Sequence, residues 1–131
     1  MVKKGEKYNT FYNPGGFVEL CFYGEQTPES VIAAVTELVN WSKNLSSKKK
    51  KIYILVDVTE VPKIDISGKM AAARKEAVRA MTSAKYDRIA IYGGVAVQIM
   101  VNTLVLIAGK RQKIKVFSDR LEALRWLKGD E

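Results

Sequence analysis

The stretch Ile52-Tyr53-Ile54-Leu55-Val56-Asp57-Val58-Thr59-Glu60-Val61-Pro62-Lys63-Ile64-Asp65-Ile66-Ser67-Gly68 decides how this chain folds. Its first part, Ile52 to Val58, is a short apolar run with β-branched residues, the pattern of a strand covered on both faces. The run breaks at Asp57-Val58-Thr59 and at Pro62, and Asp65-Ile66-Ser67-Gly68 stands just before a long helical pattern. A buried strand feeding a loop that opens a helix is where α/β proteins place ligands and switches.

On the C-terminal side, Met70, Ala73, Ala77, Met81 and Ala84 share one face of a helix from about Gly68 to Ala84. Lys69, Lys75, Glu76 and Arg79 fall on the opposite arc, and the small alanines imply close packing against a sheet. Tyr86-Asp87 turns the chain into a short buried strand, Arg88 to Tyr92, and Gly93-Gly94 separates it from a third helix, Val95 to Gly109. That helix is apolar almost all round, with polarity mainly at Gln98, Asn102 and Thr103. At ~1.5 Å per residue it is roughly 22 Å long, short of the ~30 Å needed to cross a bilayer. Three roles fit it: buried core helix, subunit interface, or wall of an apolar pocket. Ile99, Met100, Leu104, Leu106 and Ile107 are the residues that would form the interface or the pocket. Lys113 to Phe117 reads as the last strand. Ser118 or Asp119 then caps a final helix with Leu121, Leu124 and Leu127 inward.

On the N-terminal side, Thr27 as N-cap and Pro28 at the first helical position start a helix whose inward stripe is Val31, Val35, Leu38, Ser42 and Leu45. Before it, Tyr8–Tyr12 and Phe17–Tyr23 read as an antiparallel hairpin. Asn13-Pro14-Gly15-Gly16 joins them, with Gly15 expected to take φ > 0 in a type II turn. The element order is ββαβαβαβα. It predicts an α/β fold in one domain over residues 1–131: a mixed sheet with an antiparallel N-terminal edge, parallel strands after it, and about four helices.

The chain has 131 residues and no histidine, which removes the usual general base and the commonest metal ligand. Its one cysteine, Cys21, falls inside a predicted strand and reads as a buried structural thiol. No Cys/His metal spacing occurs, so neither a metal nor another cofactor is expected. Residues 1–7 lead into polar strand-like sequence without an apolar signal region, and a cytoplasmic protein is expected. Net charge is +8, of which residues 1–66 contribute +1 (9 basic, 8 acidic) and residues 67–131 contribute +7 (13 basic, 6 acidic). The basic half, which includes Arg74, Lys75, Arg79, Lys113 and Lys115, suits phosphates, anionic lipid or an acidic protein. Lys48 to Lys51 has no interleaved aromatics for base stacking, which argues against nucleic acid.

Asp57 and Asp65 flank one loop and form the one suggestive carboxylate pair. A strand-ending Asp also serves simply to accept loop N–H groups, and that role is favoured over a hydrolase or lyase. Ser67 stands at a helix start, where unpaired N–H groups and the positive dipole end would stabilise a phosphate together with Lys63 or Lys69. The plainer reading makes Ser67 an N-cap, worth ~1 kcal/mol to the helix.

From Ile54 to Gly68 the sequence resembles the central strand and switch loop of STAS domains, the bacterial anti-sigma-factor antagonists. Asp57, Thr59, Val61, Asp65, Ser67 and Gly68 match that family's pattern. Ile66 and Gly68-Lys69-Met70 stand where the family usually has a small residue and Gly-Leu-Gly. The C-terminal run Val116-Phe117 and Glu122-Ala123-Leu124-Arg125-Trp126-Leu127 is similar to a divergent branch of small STAS-like proteins grouped with CRAL-TRIO lipid-transfer domains. The resemblance implies a non-enzymatic regulatory domain that binds a protein partner, a kinase or an anti-sigma-like regulator, with Ser67 as phosphoacceptor. A second copy of the chain is an alternative partner. The second function kept is a carrier of a lipid or other apolar small molecule that uses the Val95–Gly109 helix.

Overall fold

The structure, a computed structural model, describes residues 7–62, 67–108 and 113–129, leaving aside the side chains of residues 82, 100 and 103–108. In chain order the elements are β1 (Tyr8–Asn13), β2 (Phe17–Tyr23), α1 (Pro28–Ser47), β3 (Tyr53–Glu60), α2 (Gly68–Ser83), β4 (Arg88–Tyr92), α3 (Val95–Ala108), β5 (Ile114–Phe117) and α4 (Arg120–Leu127). One sheet holds the strands in the order β1-β2-β3-β4-β5. β1 pairs antiparallel with β2, and the other neighbours are parallel. The apolar run from Ile52 to Val58 therefore supplies the middle strand.

Its continuous apolarity follows from that place. Ile54 and Val56 point to one face, where α1 supplies Ala34, Val35 and Leu38 and α2 supplies Met81. Leu55 points to the other, beside Phe17, Ala90 and Tyr92, and α4 closes this face with Ala123 and Leu127. With a helical layer on each side, alternate residues have no solvent face to meet.

The strand is shifted from the expected Ile52–Val58. The Ile52 N–H donates to Asp87 Oδ2 at 2.7 Å, and the strand continues to Glu60, which pairs with Tyr23. The hairpin turn also differs from expectation, since Gly16 takes the positive φ (96°) rather than Gly15. Asn13 Oδ1 accepts from the Gly15 N–H at 2.7 Å, and the Gly16 N–H donates to the Asn13 carbonyl at 2.9 Å. The asparagine side chain thus selects a turn with glycine at its last position, as type I turns prefer.

The starts of α1, α2 and α4 are set by side-chain caps. Thr27 Oγ accepts from the Ser30 N–H while Ser30 Oγ accepts from the Thr27 N–H, a reciprocal cap that satisfies two otherwise orphaned donors. Ser42, on the inward stripe of α1, is satisfied by donating to the Lys85 carbonyl. The short α4 is anchored near its C-terminus by Arg88, which donates to the Trp126 carbonyl and lies 5.0 Å from the centre of its ring.

Candidate functional site

The β3–α2 junction holds five of the residues singled out from sequence, Asp57, Thr59, Ser67, Gly68 and Lys69. Asp57 Oδ1 accepts from the Thr59 N–H at 2.8 Å and from Thr59 Oγ at 2.6 Å. Both residues lie within β3, beside the register shift opposite Cys21–Tyr23, so the carboxylate satisfies a local irregularity of the strand rather than capping its end. Ser67 is exposed and caps α2: its Oγ accepts from the Met70 N–H at 3.3 Å, and its carbonyl accepts from the Ala71 N–H at 2.9 Å. Met70 is 2% exposed, so the cap fixes the first inward side chain of the helix. A Cβ placed on Gly68 meets nothing within 4 Å, which leaves room beside the serine, and Lys69 is exposed on the first turn. Lys63 and Asp65 lie outside the described residues. The structure thus joins Asp57 to Thr59 and gathers Ser67, Gly68 and Lys69 at a positive helix end.

A second polar cluster occupies the α4 face, and nothing in the sequence reading selected it. Glu19 in β2 is 4% exposed. Arg120, the first residue of α4, grips its carboxylate with both terminal nitrogens at 2.9 and 3.0 Å. Asn13 Nδ2 adds a third bond at 2.6 Å, and Arg120 Nη1 also donates to the Tyr92 hydroxyl at 3.1 Å. Burial alone would push the Glu19 carboxyl up, but the hydrogen bonds from Arg120 and Asn13 and the guanidinium charge together hold it below the usual range. The Tyr92 hydroxyl is pushed up to about 12, first by burial and then, against Arg120, by Asp57. Cys21 is half-buried rather than fully buried as expected, and burial raises its thiol. The signal available beforehand was a lone glutamate between Phe17 and Cys21 on a strand face that proves to be covered.

The third feature is a cavity of about 210 Å³ between the sheet and α1, α2 and α3. Leu20, Val35, Val56, Ala77, Met81 and Val101 are among its lining residues, and Gln26 and Arg74 are the polar ones. Arg74 follows Met70 by one helical turn and precedes Ala77 and Val78 on the same inward stripe of α2. The sequence reading counted it only among the basic residues, although its i, i+4 spacing from Met70 marks the position. From α3, Val97 and Val101 wall the cavity, while Val95 and Ile99 are 71% and 63% exposed. Of the five α3 residues named from sequence, Ile99 therefore stands on the outer side. The side chains of Met100, Leu104, Leu106 and Ile107 lie outside those described.

The sequence matches the family described as SpoIIAA-like over residues 17–128. The chain belongs to the SpoIIAA-like family. A solved structure with the same fold, an uncharacterized protein of the DUF3478 family from Shewanella loihica PV-4, superposes with a TM-score of 0.60 at 20% identity, covering 92% of this chain and 91% of that one. No curated protein matches. The STAS resemblance and the mixed-sheet fold expected from the sequence are both borne out. The matched span of this SpoIIAA-like chain begins at β2 and takes in the β3–α2 junction, the cavity and α4. Among the described residues no helix is long and apolar enough to cross a membrane, and no group of three or more His, Cys, Asp or Glu side chains could hold a metal ion.

Proposed function

We propose that this SpoIIAA-like chain is a regulatory domain that acts by contact with a partner protein, and that phosphorylation of Ser67 switches the contact. The observation that carries the reading is the place of Ser67: exposed, at the N-terminus of α2, with open space beside it. A phosphate there adds about −1.5 to −2 charges. The helix end and Lys69 stabilise it, and its oxygens can take over the capping bond to Met70. Exposed Lys75 further along α2 adds positive charge to the helix, whereas Arg79 is paired with Glu76 at 3.3 Å. The surface offered to a partner also includes the outward Val95 and Ile99 of α3. In STAS-like relatives such a partner is a kinase or an anti-sigma-like regulator. Action by binding rather than catalysis is supported by the absence of histidine and by the engagement of Asp57 with Thr59 two residues on. A cytoplasmic setting belongs to the same reading.

The test compares Ser67→Asp with Ser67→Ala as immobilised baits in lysate of the native host, read by quantitative mass spectrometry. Aspartate is as good an N-cap as serine, so the Asp form keeps the helix while adding charge. At least one retained protein should differ about tenfold between the baits, the effect of about 1.4 kcal/mol. Identical retained sets contradict the switch.

A second reading, a carrier of a small apolar molecule, is favoured by one specific observation, the cavity beneath α2 and α3. Native interiors are close-packed with few voids larger than a water, so an apolar space of this size invites an occupant.

A further inference from the structure

We propose that the cavity under α2 and α3 binds one single-chain amphiphile with an anionic head, its tail among the valines and methionines and its head on Arg74. The inference rests on the carrier reading just given and adds the class of the ligand.

Size comes first. The cavity measures about 210 Å³. An apolar cavity of ~150 Å³ stays dry and accepts benzene, so this one has room for a ring or a single medium-length chain. Among the described residues its walls are Leu, Ile, Val, Met, Phe and Ala apart from Gln26 and Arg74. Gln26 is already committed, with Nε2 donating to the Lys7 and Tyr23 carbonyls and Oε1 accepting from Ser30 Oγ.

Arg74 remains as the charged lining residue. It interrupts the inward stripe of α2 between Met70 and Ala77, where an apolar residue would serve packing better. The planar fork of a guanidinium suits a carboxylate or phosphate oxygen pair. Arg74 has a contact of its own in the structure. Five N–H donors allow it to keep that contact and still bind a head group. Phe22, Val58 and Val61 place part of the lining at the C-terminal ends of the parallel strands β2 and β3, the side on which open α/β sheets take ligands.

The test is calorimetric titration of the full chain with octanoate, octyl phosphate and 1-octanol, repeated on Arg74→Met, Arg74→Gln and Ala77→Leu. At least one of the two anions should bind about tenfold or more tightly than 1-octanol, the margin a charge-assisted hydrogen bond provides. Which anion is preferred identifies the head as carboxylate or phosphate. Both Arg74 variants should abolish the preference and retain 1-octanol binding, and Ala77→Leu, which fills the cavity, should weaken all three. Equal affinity for anion and alcohol, or a preference that survives both Arg74 variants, overturns the head-group assignment and leaves the carrier reading standing. Binding unaffected by Ala77→Leu overturns the location. No binding of any of the three to the wild-type chain overturns both the proposal and the carrier reading.

Discussion

Arg120→Met will lower the unfolding free energy by about 3 kcal/mol at neutral pH, the lower end of the range for breaking a buried ion pair, because the arginine is itself partly exposed. The substitution leaves the Glu19 carboxylate buried with Asn13 as its remaining partner. Most of the loss is the cost of an unmatched buried charge rather than the worth of the pair. Removing both charges in Glu19→Leu/Arg120→Met should therefore recover most of the stability, since well-packed apolar replacements of buried pairs are often neutral or better.

The pH dependence has a definite sign. In the native chain the Glu19 carboxyl lies below its ordinary value of 4.5, so its stabilising contribution is present above that value and is lost as pH falls through the folded pKa. In Arg120→Met, burial is left to push the carboxyl upward, and protonation then relieves the strain. The stability gap between the two proteins should begin to narrow above pH 4.5, as the raised carboxyl of the variant takes up its proton, and go on narrowing until the native carboxyl is protonated too. Urea unfolding at pH 7 and pH 4 reads both effects. A gap of the same size at both pH values would show that Arg120 acts by packing alone.

The other large effect is expected at Gly93, which follows β4 directly. A Cβ there would sit 2.3 Å from Val58 Cγ2 and 3.3 and 3.4 Å from the Val58 backbone carbon and oxygen. Val58 is β-branched and stiff at χ1, so the methyl has no easy retreat, and the strand backbone lies behind it. Gly93→Ala should cost about 2 kcal/mol, typical of overpacking. Val58→Ala in the same chain should return part of that loss, because the nearest clash is with the valine methyl. Thermal unfolding of the single and double variants gives the coupling. Additive effects of the two substitutions would mean the contact is not the cause.

The two outcomes also show where sequence was informative. The middle strand was legible because coverage on both faces makes every residue from Ile54 to Val56 apolar. α1 was legible because Thr27-Pro28 is a strong start signal and the inward stripe keeps helical spacing to Leu45. Turn type at Asn13–Gly16 was not, since it depends on which N–H the asparagine side chain takes. The Glu19–Arg120 pair spans 101 residues of chain and joins elements whose adjacency only the folded sheet creates. An apolar pocket against α3 was one of three roles open to that helix, but its other walls were out of reach for a similar reason, since the described ones also come from two further helices and four strands. Arg74 alone was visible as an arginine on an apolar stripe. At the junction, the sequence located Ser67 as a helix cap, while local spacing could not decide between a cap and a phosphoacceptor, because both need the same geometry.

The same serine carries the central claim. Intact-mass analysis of the chain purified from its native host, with and without phosphatase treatment, tests it most directly. The regulatory reading predicts a population one phosphate heavier that localises to Ser67 and collapses to the unmodified mass after phosphatase. A single unmodified mass under every growth condition in which the protein is present would contradict it.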